Sequence, residues 1–213
     1  MTIHRLPVGV LQTNCYIVST KQKNALVIDP GAGPEGILSF LEKEGLTPRL
    51  LVFTHGHFDH IGGASRLQEA TGAQTAVPAG DEDIFLDPAL GGSGIFDSFD
   101  GYTPNKPDRL YRDGDVITLD EISLTALHTP GHSKGSSVLY GDGVLFSGDT
   151  LFAGSCGRTD LYGGDEKAIL DSLRRIAGLP GDWQVLPGHG PETSLAVERV
   201  SNPFMGTNYD DIF

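Results

Sequence analysis

Positive charge, cysteine and long apolar runs are all scarce in this chain. Its 15 Lys and Arg stand against 28 Asp and Glu, so the formal net charge is −13 with neutral histidines. An acidic chain without Lys/Arg runs is poorly suited to a phosphate backbone or an anionic membrane surface, so neither nucleic acid nor membrane is an expected partner. No apolar stretch approaches the roughly 20 residues of a membrane span. The opening Met1-Thr2-Ile3-His4-Arg5-Leu6-Pro7 has no apolar core behind it, which argues against a secretory signal. The 2 cysteines, Cys15 and Cys156, cannot build a disulfide framework and read as reduced side chains of a cytoplasmic protein. The 29 glycines and 13 prolines form no tract or period, which excludes collagen and low-complexity chains.

What is present is enough apolar material, 38% of the 213 residues, for a core. Short apolar runs at Cys15–Val18, Ala25–Ile28 and Leu50–Phe53 read as strands, the last buried on both faces. Between them Pro34 and Glu35 suit a helix first turn, Ile37, Leu38 and Leu41 share a face, and Gly45 suits the C-terminal cap. A second helix is expected over Ala64–Thr71 and a strand near Gln74–Val77. The segment from Asp81 to Asp113 reads as a short helix and a long loop, which either flanks a site or is a mere surface excursion. Strand signals return at Val116–Thr118, Ile122–Leu127, Ser137–Tyr140 and Val144–Ser147. Asp165 suits the N-cap of a helix over Glu166–Ala177, followed by a strand at Val185–Leu186 and a helix over Leu195–Val200. With no linker-like shift in composition, the expectation is one domain, residues 1–213, with helices on both sides of a layered sheet core.

The histidines are not scattered. His55, His57 and His60 fall within Thr54-His55-Gly56-His57-Phe58-Asp59-His60, directly after the run ending at Phe53. Three imidazoles and a carboxylate in six positions make a poor core, because each polar atom needs a partner. They suit a divalent metal that accepts nitrogen and oxygen ligands. Three more candidates stand next to glycine at the ends of apolar runs. They are His132 in Pro130-Gly131-His132, Asp149 in Ser147-Gly148-Asp149 and His189 in Pro187-Gly188-His189. Taken singly, each is an ordinary turn or cap residue. Together they predict one site, assembled from four loops, that binds two metal ions. His4 and His128 lack such a setting and read as structural.

On these residues the chain resembles the metallo-β-lactamase-fold hydrolases. The 54–60 segment matches their H-x-H-x-D-H motif, and His132, Asp149 and His189 match the remaining ligand positions in order. The resemblance implies an αββα sandwich of the α+β or α/β class, with the site at one edge between the sheets. It also implies that His55, His57 and His132 hold one metal, that Asp59, His60 and His189 hold the other, and that Asp149 bridges them. Zinc is the first expectation; iron or manganese suits the same ligands. Zinc lactamases of the fold usually present Cys at the bridging position, so Asp149 argues against a dedicated lactamase. Within the fold, Leu11–Tyr16, Gly148–Phe152 and Pro187–Thr193 are similar to the glyoxalase II group, the hydroxyacylglutathione hydrolases, in their short single-domain bacterial form. By that likeness Ser155–Asp160 is a substrate-contacting loop. Arg158 is the candidate for an anionic substrate group, unless it is simply a surface arginine paired with Asp160.

The expected activity is hydrolysis of a small-molecule thioester such as S-lactoylglutathione. Two divalent ions lower the pKa of water from about 15.7 towards ~7, which supplies hydroxide, oriented here by Asp59, at neutral pH. A thiol with a pKa of about 8.5 leaves without a strong general acid, whereas an amide nitrogen needs protonation and no donor is evident. The same fold carries a rival, the mononuclear-iron persulfide dioxygenases, which the Cys156–Asp160 stretch also resembles. A protein using its metals only as structural staples is the non-enzymatic alternative.

Overall fold

A computed structural model describes residues 1–93 and 105–205. The first sheet holds β1 (Thr2–Val8), β2 (Thr13–Ser19) and β3 (Asn24–Ile28), which are antiparallel neighbours. After helix α1 (Pro34–Glu44) the chain returns as β4 (Thr47–Val52), parallel to β3. The short helix α2 (Phe58–Ile61) and α3 (Ala64–Thr71) lead to β5 (Gln74–Pro78), and α4 (Glu82–Leu86) precedes β6 (Arg109–Tyr111). Strands β4, β5 and β6 are parallel, so the sheet runs β1-β2-β3-β4-β5-β6.

The second sheet follows entirely in sequence. Strands β7 (Val116–Leu119), β8 (Ile122–His128), β9 (Ser137–Gly141) and β10 (Val144–Gly148) form an antiparallel meander. A two-stranded hairpin, β11 (Leu151–Phe152) and β12 (Ser155–Cys156), precedes helix α5 (Glu166–Ala177). This helix makes the crossover to β13 (Gln184–Pro187), which pairs parallel with β10; β14 (Thr193–Ser194) and α6 (Leu195–Ser201) complete the layer.

Alternation of side chains decides which layer each residue joins. In β3, Leu26 and Ile28 enter the core between the sheets, while Ala25 and Val27 face α1 and α3. In β10, Val144 and Phe146 enter the inter-sheet core, and Leu145 packs with Ile169, Leu173 and Ile176 of α5. Tyr16 meets Phe146 edge-on across the sheets, centroids 5.3 Å apart. The result is the expected αββα sandwich. Helix α5 shows how local signals serve it: the Asp165 side chain accepts from the Ala168 N–H, and Ile169, Leu173 and Ile176 are buried on one face. Truncating the fully buried Leu173 to Ala would cost about 2–5 kcal/mol.

Helices α1, α3 and α5 keep the expected boundaries. Strand β1 was not anticipated, since Thr, His, Arg and Pro7 make it look irregular; it is an edge strand bonded only to β2, where proline and charge are tolerated. The short pieces α2, β6, β11, β12 and β14 were also missed. Of the segment 81–113, the short helix and β6 are seen, and 94–104 lies outside the described residues. Both cysteines are free, Cys15 buried and Cys156 half-buried. His4 meets Phe40 with the rings tilted, centroids 5.0 Å apart, and His128 Nε2 donates to the Lys134 carbonyl at 2.8 Å. Among the described residues no helix is long and apolar enough to cross a membrane.

Candidate metal centre

All seven predicted ligands meet at one end of the sandwich. Four come from the chain after β4 in the first sheet. His132, Asp149 and His189 come from the ends of β8, β10 and β13 in the second. Three groups of three have ligand atoms close enough to share an ion: His55, His57 and His132; Asp59, His60 and His189; and Asp29, His55 and His60. In the third, Asp29 is already hydrogen-bonded to His60 Nδ1, which leaves the first two as the candidate ion sites. Asp149 faces both. Its Oδ2 lies 3.6 Å from His132 Nε2 and 3.4 Å from His189 Nε2, and its Oδ1 is 3.3 Å from His60 Nε2.

Two glycines permit this approach. Gly148 takes φ 48°, and a Cβ there would overlap the Thr54 hydroxyl. A Cβ on Gly188 would overlap Asp149 Oδ1 and come within 2.7 Å of His60 Cε1.

Hydrogen bonds behind the rings fix which nitrogen faces inward. Asp29, buried at 2% exposure, accepts from the Thr54 hydroxyl at 2.7 Å and from His60 Nδ1 at 2.9 Å, both on Oδ2. Because the Thr54 hydrogen goes to Asp29, its oxygen accepts from His55 Nδ1, 3.0 Å away. The Arg158 carbonyl accepts from His132 Nδ1 at 2.8 Å. His55, His60 and His132 are thereby held with a proton on Nδ1 and with Nε2 turned to the centre. Thr13 donates to Asp59 Oδ2 at 2.8 Å. Sequence reading passed over Asp29, Thr54 and Thr13. The available signal for Asp29 was its place at the end of the apolar run Ala25–Ile28, the rule that found Asp149.

The charge balance is unusual for a protein interior. Burial, then its neighbour His132, pushes His57 down to about 3. Burial, then the nearby His60 and His132, also lowers His55 well below the ordinary range. Burial opposes charge on His60 as well, yet Asp149, Asp59 and Asp29 together hold its pKa well above the usual value. Meanwhile His55 Nε2, His57 Nε2, His60 Nε2 and Asp149 Oδ1 are buried without a hydrogen-bond partner, and His57 turns its other ring nitrogen, Nδ1, to within 2.7 Å of His132 Nε2. Each such atom costs about 1–3 kcal/mol when left unsatisfied. Converging lone pairs of nitrogen and oxygen at this spacing fit two divalent cations.

The sequence profile of the metallo-beta-lactamase superfamily matches residues 8–189. This chain belongs to the metallo-β-lactamase superfamily. It is 33% identical over 211 residues to "Hydroxyacylglutathione hydrolase GloC" of Haemophilus influenzae, covering 97% of this chain and 99% of that relative. The solved structure of "BLEG-1 B3 metallo-beta-lactamase" superposes with a TM-score of 0.91 at 36% identity, over 97% of this chain and 100% of that one. "TTHA1623 in a di-iron-bound form" gives a TM-score of 0.82 at 37% identity, over 95% and 100%. The superfamily fold, mostly one of hydrolases, therefore carries a histidine–aspartate centre that fits a dinuclear metal site.

A cleft of about 410 Å³ opens onto this centre, with Leu11, Phe58, Phe152 and Leu161 on its walls and Arg158 at its side. Arg158 lines the cleft, and its guanidinium grips Asp160 at 2.6 and 2.7 Å. With side chains 59% and 67% exposed, that pair is screened by solvent and only weakly held.

Proposed function

We propose that this protein is a dinuclear metal-dependent hydrolase of small thioesters, of which S-lactoylglutathione is the leading example. The observation that carries the reading is the pair of ligand clusters sharing Asp149 on the floor of a largely apolar cleft. In this reading His55, His57 and His132 hold one ion, Asp59, His60 and His189 the other, and Asp149 serves both. Bound there, two divalent ions supply a water of lowered pKa and polarise a carbonyl. The chain's own part is placement. Asp59, fixed by Thr13, orients the attacking water, while Leu11, Phe152 and Leu161 receive the apolar part of the substrate. Arg158 meets an anionic end. Among the described cleft residues no acid stands apart from the ligand set, which suits a thiolate leaving group better than an amine.

Zinc is the first assignment for the ions. The nitrogen and oxygen ligands suit iron or manganese as well, and elemental analysis decides among them. The test combines that analysis with a panel of S-lactoylglutathione, an N-acetylcysteamine thioester, a cephalosporin and glutathione persulfide. Two ions per chain and chelator-sensitive thioester hydrolysis are expected. One iron with oxygen uptake, cephalosporin turnover exceeding that of every thioester, or two ions with no turnover would each overturn the proposal.

A further inference from the structure

Asp81 is fully buried just before α4, is no ligand, and plays no part in the chemistry above. Its carboxylate receives three donors from the two loops that carry the first ligand cluster. Oδ2 accepts from the N–H of Gly56, which stands between His55 and His57, at 2.9 Å. The same oxygen accepts from the hydroxyl of Ser133, next to His132, at 2.6 Å, and Oδ1 accepts from the Gly135 N–H at 2.6 Å. The loops close tightly on it. A Cβ on Gly135 would lie 2.7 Å from Asp81 Cγ, and one on Gly56 would lie 3.3 Å from Asp81 Cβ. Ser133 is itself fixed, receiving the Ser136 N–H at 3.0 Å.

The second cluster is held from elsewhere. From β2, Thr13 bonds Asp59. Asn14 Nδ2 donates to the carbonyls of Pro187 and Gly190 at 2.9 and 3.0 Å, and the Tyr16 hydroxyl donates to Pro187 O at 2.8 Å, together bracing the His189 loop. Among the described residues, no hydrogen bond joins Asp81 to Asp59, His60 or His189.

We infer that Asp81 is a positioning residue which sets ion affinity at the His55–His57–His132 cluster alone, by tying the first sheet's ligand loop to the second's. The inference rests on the dinuclear reading above. All three partners are donors, and only a carboxylate offers acceptors on both oxygens. In Asp81→Asn the amide nitrogen must face at least one of these donors, which loosens His57 against His132.

The experiment loads metal-free protein with zinc against a chromophoric chelator, and with cobalt(II) for its absorption spectrum. His57→Ala and His189→Ala serve as references for the loss of either site. Asp81→Asn should retain one ion at wild-type affinity and bind the other ~10–100-fold more weakly, the usual effect of removing an outer support. Its singly loaded cobalt spectrum should match His57→Ala rather than His189→Ala. Ser133→Ala, which keeps the carboxylate and two of its donors, guards against a variant that does not fold, and should shift the same site in the same direction by less. Wild-type affinity at both sites, equal weakening of both, or a spectrum matching His189→Ala would overturn the inference. A wild-type protein that takes up fewer than two ions would instead sink the dinuclear reading, and this one with it.

Discussion

Asp29→Asn is the sharpest probe of how the centre is held. Asp29 sits at φ 51°, a left-handed conformation that asparagine tolerates, so the backbone should survive the change. Its Oδ1 can keep the Thr54 N–H, now 2.7 Å away. The new amide nitrogen then faces the Thr54 hydroxyl and His60 Nδ1, where the carboxylate had accepted from both. His60 must become an acceptor at Nδ1 and carry its proton on Nε2, the atom turned to the ions. Through Thr54 the same reversal reaches His55. One oxygen thus supports a histidine in each cluster, and both ions should bind ~10–100-fold more weakly, about 1.4–2.7 kcal/mol each. Chelator competition measures the affinities, and nitrogen NMR of the zinc-loaded protein reports which His60 ring nitrogen carries the proton. An Asp29→Asn protein with two ions at wild-type affinity and His60 still protonated on Nδ1 would refute the reasoning.

Gly188→Ala should displace the Asp149 carboxylate, because the new methyl overlaps its Oδ1; metal content should fall below that of the wild-type protein, and an unchanged count would contradict the packing. Arg158→Ala should raise KM for an anionic thioester ~5-fold, the equivalent of about 1 kcal/mol at a side chain more than half exposed; identical steady-state kinetics would remove the residue from substrate binding. Burial pushes the Cys156 thiol up to about 11 from 9.0, and holds Cys15 well above that ordinary value too. Both should react slowly with a disulfide reagent at pH 8 in the folded protein and promptly once unfolded. The unfolded chain releases the Cys156 proton first, so the contribution of Cys156 is complete below pH 9.0 and declines as pH rises through about 11. Equal thiol reactivity in the two states would be the contrary result.

The convergence of the seven candidate ligands was legible because their residue types are costly to bury without a purpose. Three histidines and an aspartate in one hexapeptide need a common explanation, and each remaining ligand ends an apolar strand. The strands Ala25–Ile28 and Val144–Phe146 were legible as apolar runs, but which side chain joins which layer is seen only in the folded sheets, because an all-apolar run has no polar face to mark. The supports were not legible. Thr13, Thr54 and Asp81 are common residue types in positions where a turn or cap is the ordinary role, and their partners lie 25 to 54 positions away. Strand β1 failed differently: an edge strand with one neighbour need not show a clean apolar alternation.

The division of the sheets along the chain has a mechanical consequence. Every strand of the first sheet precedes Arg112 and every strand of the second follows it, while each ligand cluster draws from both sides of that point. A divalent ion in either cluster is therefore a rivet through two plates that otherwise meet on greased faces. Metal-loaded protein should part into its halves far more slowly than stripped protein. Two half-length polypeptides severed near Gly114 should find one another most tightly when the cation is supplied.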